Sequence, residues 1–230
     1  MAWIRFGLRR DRVAKQAPEA LVALLHDRGS SAATLTTIAA RWAATVRTTA
    51  FLALDGIESL DALSVDFQPN TRRELEATPE SNALDCAAPG LRRSLEQQLQ
   101  SRGLDASQLV LVGFGYGGTL ALHLVLHHGW SCAGVLSFCG CLGRPLPRIL
   151  RMGSKIRLID SASDGHIAYG SVRDDVTSLA ARGIDARGIA LSAPPFSDEA
   201  IRHGGAYLAE LVATAQRGDR SHVDQESIYA

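Results

Sequence analysis

Residues 109–128 constrain the fold of this chain more than any other stretch. They read LVLVGFGYGGTLALHLVLHH, an apolar run of strand length followed by glycines and then by a second apolar run. The second run has almost no polar face, which is typical of a helix buried on all sides. Glycines let a strand and the helix after it approach closely. The segment therefore predicts a layered α/β fold, because a buried strand followed by a buried helix must be covered from both sides.

The rest of the chain alternates apolar runs of strand length with segments of helical period. The predicted strands are residues 2–8, 20–26, 49–54, 109–112, 133–138, 155–159 and 186–191. The predicted helices are residues 31–46, 91–102, 117–128, 171–181 and 198–216. Residues 55–86 show no clear period and are predicted to form a long loop. This alternation predicts an α/β fold, a mostly parallel sheet of about seven strands with helices on both faces.

The length and charge of the chain limit its organisation and its partners. Residues 1–216 are predicted to form one domain, and residues 217–230 a polar, frayed C-terminal tail. Lysine plus arginine and aspartate plus glutamate number 24 each, which argues against nucleic acid or acidic lipid as a partner. No stretch reaches the roughly 18 apolar residues of a membrane-spanning helix, and no signal peptide is recognisable. We therefore expect a cytoplasmic protein without stable membrane insertion.

The four cysteines do not suggest a metal site. Cys86, Cys132, Cys139 and Cys141 form no CxxC pair with a matching histidine pair, so we predict no structural zinc and no cofactor. Reduced thiols in a bacterial cytoplasm are the expectation.

The glycine-rich turn carries the functional signal. Residues 113–118 read GFGYGG, with the outer glycines of the G-x-S-x-G turn that presents a nucleophilic serine. The chain resembles the phospholipase/carboxylesterase family of α/β-hydrolases, which includes acyl-protein thioesterases and has GFSQGG at this point. The stretches ALVALLHDRGSSAATL, AGVLSFCG, IRLIDSASD and DEAIRHGGAYLAELV also resemble the family. The resemblance covers roughly residues 18–215 and implies the α/β-hydrolase fold.

The resemblance places only one member of the catalytic triad in this chain. The nucleophile position is Gly115, and the histidine position is Pro194. The acid position is Asp164, in DSASD, where the family has HGxxD. Acyl transfer by this route needs a hydroxyl group and a base within hydrogen-bond reach. We therefore predict a catalytically inactive homologue of carboxylesterases, a pseudoenzyme.

The same positions suggest a binding site. The family's HGxG oxyanion loop matches His26-Asp27-Arg28-Gly29, so Asp27 replaces a glycine. The Tyr116 N–H begins a buried helix, whose dipole favours an anion. We predict that Arg28, Tyr116, Asp164 and Cys139 line a site for a small acyl or anionic ligand. In the alternative, Arg28 and Tyr116 fill the vacated space.

Two further functions remain open beside that of a pseudoenzyme binding a ligand or a protein partner. The chain could be an active ester or thioester hydrolase with a relocated nucleophile, Cys139 or Cys141, although both could equally be buried thiols. The candidate bases for such a thiol are His26, His166 and His203. The chain could also be an interaction subunit with a closed cleft. Family members often self-associate, so the resemblance also implies a homodimer.

Overall fold

The computed structural model of the protein describes residues 17–54, 79–142, 145–147, 153–161 and 172–226. The strands are β1 (Ala20–Leu25), β2 (Thr49–Leu54), β3 (Leu109–Phe114), β4 (Gly134–Phe138), β5 (Lys155–Ser161) and β6 (Ala186–Leu191). The helices are α1 (Ala32–Trp42), α2 (Pro79–Gln100), α3 (Tyr116–Leu126), α4 (Val172–Ala180) and α5 (Asp198–Glu226). A short 3₁₀ helix, Ala106–Gln108, precedes β3.

The strands form one sheet in the order β2-β1-β3-β4-β5-β6, and all five neighbouring pairs are parallel. The predicted α/β fold is confirmed. The described strands number six, slightly fewer than predicted. The predicted edge strand at residues 2–8 lies outside the described residues.

Side chains alternate between two hydrophobic cores along the central strands. Leu21 and Ala23 of β1 belong to the core packed by α2, α3 and α4. Val22 and Leu24 belong to the opposite core, packed by α1 and α5. A strand buried on both faces has no polar side, which explains the continuous apolar runs in the sequence. The predicted burial of the helix after the glycines is also confirmed, since every residue from Gly117 to Leu126 is buried.

The longest difference from the predicted elements is at α2. Residues 79–86 were predicted to be loop and the helix to begin at residue 91, but α2 runs from Pro79 to Gln100 with Pro89 inside it. A proline removes one helical hydrogen bond and commonly ends a helix. Here Ala88 before Pro89 and Leu91 after it are both buried in the core, and this packing on both sides holds the helix together across Pro89.

The last helix also extends beyond its predicted end. Residues 198–216 were predicted to be helical and residue 217 to begin a frayed tail, but α5 continues to Glu226. Extending an existing helix is easier than starting one, because each added residue gains a hydrogen bond without a new nucleus. Within the described part of the chain, no helix has the length and apolar character needed to cross a membrane.

The order of the strands reverses the direction of the chain connections at one point of the sheet. The chain leaves β1 towards β2 on one side, whereas β3 pairs with β1 on the other side. Ligand sites in such sheets lie where the connections diverge, beyond the carboxyl ends of the strands. The register pairs Leu25 of β1 with Gly113 of β3. The residues two positions further along, Asp27 and Gly115, therefore leave the sheet beside each other.

Candidate functional site

Gly115 lies in a sharp turn between β3 and α3. Its φ is +51° and its ψ is −117°, a conformation that is strained for any residue with a side chain. A Cβ at Gly117 would lie 2.5 Å from the carbonyl oxygen of Leu25, so the turn is packed directly against the end of β1. The backbone thus keeps the tight turn between strand and helix that presents a nucleophile in this motif, with no side chain to present.

The carboxylate of Asp27 occupies the space into which a side chain at position 115 would project. A Cβ built on Gly115 would overlap Cγ, Oδ1 and Oδ2 of Asp27. Gly115 therefore makes room for Asp27, and any larger residue would have to displace this carboxylate.

Two backbone N–H groups converge on one oxygen of that carboxylate. The Tyr116 N–H and the Arg28 N–H each donate to Asp27 Oδ1 with an N···O distance of 2.8 Å. In this motif the oxyanion hole is formed by the N–H of the residue after the nucleophile and an N–H from a preceding strand–helix loop. Tyr116 and Arg28 hold those two places. Both donors of the oxyanion hole are therefore in place, and the anion that they bind is the protein's own Asp27 carboxylate.

The loop that carries Asp27 is fixed by its own backbone. The Asp27 carbonyl accepts hydrogen bonds from His26 Nδ1–H at 2.7 Å and from the Ser30 N–H at 3.1 Å. These bonds close the turn after β1 and orient the carboxylate towards α3. His26, one of the predicted bases for a relocated thiol, uses Nδ1 in this way.

Arg28 and Tyr116, both predicted to line the site, are brought together. The Arg28 guanidinium carbon lies 4.0 Å from the centre of the Tyr116 ring, a cation–π contact that holds the positive charge next to the turn. Their predicted role in ligand binding stays a prediction.

The loop after β6, where the family's histidine belongs, is described and contains no histidine. Pro194 is exposed, and its carbonyl accepts from the Ser197 N–H at 3.0 Å. Phe196 is 47 % exposed and stacks on Phe114 with 5.0 Å between ring centres. An aromatic ring from this loop thus lies against Phe114, the last residue of β3. The predicted acid, Asp164, and the candidate base His166 lie outside the described residues.

The cysteines differ in their surroundings. Burial raises the pKa of the Cys132 thiol to about 11, so this thiol is protonated and unreactive at neutral pH. Cys139 follows β4 with a φ of +53°, which is unusual outside glycine. Cys141 Sγ lies 3.6 Å from Thr119 Oγ1.

His203, a candidate base for a relocated thiol, is on α5, with Nε2 3.3 Å from the Arg202 guanidinium. A relocated nucleophile stays a prediction.

The sequence shows that Asp27 replaces a glycine of the family pattern, but it does not pair this residue with Gly115. The sequence signal that could have joined them is that both Asp27 and Gly115 depart from the family pattern. The strand register that joins them was not visible in the sequence.

Comparisons with known proteins identify the family and support the fold. The sequence model of the phospholipase/carboxylesterase family matches residues 12–151, more than half of the chain. The esterase PE8 structure is similar with a TM-score of 0.72 at 22 % identity, covering 85 % of this chain and 94 % of that chain. No curated protein sequence matches significantly.

Two further solved structures share the fold. The carboxylesterase from Mesorhizobium loti has a TM-score of 0.65 at 18 % identity, covering 83 % of this chain and 88 % of that chain. YahD, solved with malic acid, has a TM-score of 0.66 at 16 % identity, covering 92 % and 100 %. The match to the family model, together with the six-stranded parallel sheet and the turn at Gly115, shows that the chain belongs to the phospholipase/carboxylesterase family of α/β-hydrolases.

Proposed function

We propose that the chain is a pseudoenzyme of its family, which does not hydrolyse esters and binds a small acyl or anionic ligand or a protein partner at the former catalytic end of the sheet. One observation carries this proposal. The Asp27 carboxylate fills the place of the nucleophile's side chain and also accepts from both N–H groups of the oxyanion hole.

Each requirement of acyl transfer is affected. Gly115 has no group that can attack a carbonyl, and Pro194 has none that can accept a proton. Loss of a single oxyanion-hole donor typically raises the barrier by about 2.7–4 kcal/mol. Here both donors are already bonded to an internal anion. A developing oxyanion would have to displace this carboxylate or remain without its hydrogen bonds.

The same edge of the sheet offers features that suit binding. The Arg28 guanidinium, held over the Tyr116 ring, is a partner for a carboxylate or phosphate group outside the filled hole. The exposed face of Phe196 supplies apolar surface for an acyl chain next to Phe114. The structural neighbour YahD was solved with malic acid, a small carboxylate. The ligand site that we propose from the sequence also includes Asp164 and Cys139.

Four chains test the loss of catalysis with p-nitrophenyl esters and an acyl-thioester as substrates. The natural chain is expected to hydrolyse neither substrate. G115S/P194H is also expected to show no hydrolysis, because a side chain at position 115 would overlap the Asp27 carboxylate. D27G/G115S/P194H, which also empties the oxyanion hole, is expected to hydrolyse the esters and to be labelled at position 115 by a fluorophosphonate. D27G alone is the matched control, and it should neither hydrolyse the esters nor react with the fluorophosphonate.

Turnover by the natural chain would contradict the proposal, and point variants would then identify the apparatus. Activity lost in C139A or C141A would support the relocated thiol, which the positive φ of Cys139 favours, since strained residues cluster at active sites. Activity lost in D27N would instead make Asp27 the reacting carboxylate.

A further inference from the structure

A cluster of imidazole and carboxylate groups lies away from the turn at Gly115. His123 is near the carboxyl end of α3, about 10 Å along the helix from Tyr116. His128 follows the end of the same helix, and Asp85 comes from α2. The cluster therefore joins two helices that cover the same face of the sheet.

The three side chains converge on a small volume. Asp85 Oδ1 lies 2.8 Å from His123 Nε2 and 3.1 Å from His128 Nε2. All three atoms lie within 4.8 Å of one another. The ligand atoms of a tetrahedral zinc ion are separated by about 3.3 Å, as follows from zinc–ligand distances of about 2.0–2.1 Å. The two distances from Asp85 Oδ1 to the imidazole nitrogens differ from that value by about 0.5 Å or less.

Burial and access both suit a bound ion. The His123 side chain is 1 % exposed, so one ligand is anchored in the core. The His128 and Asp85 side chains are 27 % and 37 % exposed, respectively, which leaves a path from solvent. Two neutral imidazoles and one carboxylate supply one negative charge, and such a donor set suits a borderline-soft divalent cation better than Ca²⁺ or Mg²⁺.

We propose that Asp85, His123 and His128 bind a divalent transition-metal ion, with Zn²⁺ as the best match. The ion fastens α2 to α3, and a water molecule or His127, whose ring centre is 4.9 Å from that of His123, takes the fourth position. The absence of a CxxC pair led to the expectation of no metal. Such a pair is a local pattern, whereas Asp85 is 38 positions from His123 in the chain. This site is independent of the function proposed above.

The test uses the full, tag-free chain, stripped with a chelator and titrated with Zn²⁺ by calorimetry. One Zn²⁺ is expected to bind per chain and to raise the melting temperature, because a ligand that binds only the folded state stabilises it. Co²⁺ in place of Zn²⁺ should give the visible absorption of a four-coordinate site.

Variants locate the ion. D85N and H128A, whose positions are partly exposed, are expected to weaken zinc binding at least about 10-fold. H203A, which removes a histidine on α5, and C86S, which removes the exposed thiol next to Asp85, are expected to bind zinc like the natural chain.

Imidazole NMR signals of the natural chain provide a readout that does not depend on the variants folding. Zinc should shift the rings of His123 and His128 and leave that of His203 unchanged. No zinc binding at micromolar concentration, equal binding by D85N and H128A, or unshifted His123 and His128 signals would each overturn the proposal.

Discussion

Gly115 and Asp27 both depart from the family pattern, and the two residues fit each other: Gly115 leaves room for the Asp27 carboxylate, and this carboxylate accepts hydrogen bonds from the turn after Gly115. A side chain at position 115 would overlap the Asp27 carboxylate. Without Asp27, the N–H groups of Tyr116 and Arg28 would lose their shared acceptor, and an unsatisfied buried donor costs about 1–3 kcal/mol. The pair thus preserves the turn while removing the nucleophile.

The overlap between the two positions predicts energetic coupling. G115A should lower the free energy of unfolding by about 1–3 kcal/mol, from positive-φ strain and from the clash with Asp27. In a D27G background only the strain remains, so the same substitution should cost less. A double-mutant cycle by urea unfolding measures the difference, expected to be at least about 1 kcal/mol. An equal cost in both backgrounds would show that Asp27 moves aside freely.

The position of the Asp27 carboxylate between two N–H donors also predicts that a small carboxylate in solution can replace it. D27A opens the pair of N–H donors, and a small carboxylate such as acetate should bind there and raise the melting temperature of this variant. The natural chain should gain no comparable stabilisation from acetate. D105A is a matched control, because Asp105 likewise accepts a backbone N–H, from Ser107 at 2.7 Å, but caps an exposed turn. Equal rescue of D105A would mean that acetate stabilises the protein without using the hole.

At the scale of elements, a buried charge connects β5 to the helix that covers it. Arg157 of β5 is 0 % exposed, and its guanidinium bonds both carboxylate oxygens of Glu210 on α5, at 2.7 and 3.2 Å. It also pairs with Asp185 just before β6, at 3.0 Å. Hydrogen bonding from Arg157 lowers the pKa of Glu210. Burial alone would raise the pKa of Asp185, but the hydrogen bond and charge of Arg157 give a net decrease.

These lowered pKa values predict a loss of stability in acid. The contribution of Glu210 is fully present above its ordinary pKa of 4.5 and is lost as the pH falls through the lower pKa of the folded state. E210Q should cost about 1.5–3 kcal/mol at neutral pH, because it weakens a hydrogen-bonded charge pair. It should also flatten the dependence of unfolding free energy on pH below 4.5.

Urea unfolding at a series of pH values measures both effects. E199Q, an exposed change on the same helix, is the control and should follow the natural chain. A pH dependence as steep in E210Q as in the natural chain would assign the acid sensitivity to other groups.

Most elements are predictable from local pattern because burial on both faces leaves a strong signal. β1 and β3, which are buried along their whole length, lie where their apolar runs place them, and α3 is recognisable by its lack of a polar face. The first part of α2 was missed because Pro89 is a local signal for a break, whereas packing of Leu84 and Ala88 against the core is a tertiary effect.

At the scale of the whole molecule, the strand order decides where chemistry can occur. β1 and β3 are neighbours although α1, β2 and α2 separate them in the chain. Their carboxyl ends lead into the turns that carry Asp27 and Gly115. The family pattern was sufficient to recognise the fold and to place Gly115 and Pro194 at two triad positions, because the motif is local and depends on glycine spacing.

The sequence by itself determined the α/β fold, the turn at Gly115 and the absence of a serine and a histidine at the aligned triad positions. Each of these depends on residues close together in the chain. Only the tertiary structure decided that the Asp27 carboxylate fills the oxyanion hole and that Asp85 meets His123 and His128. Both contacts join segments far apart in sequence, and the register of β1 with β3 and the packing of α2 on α3 bring them together.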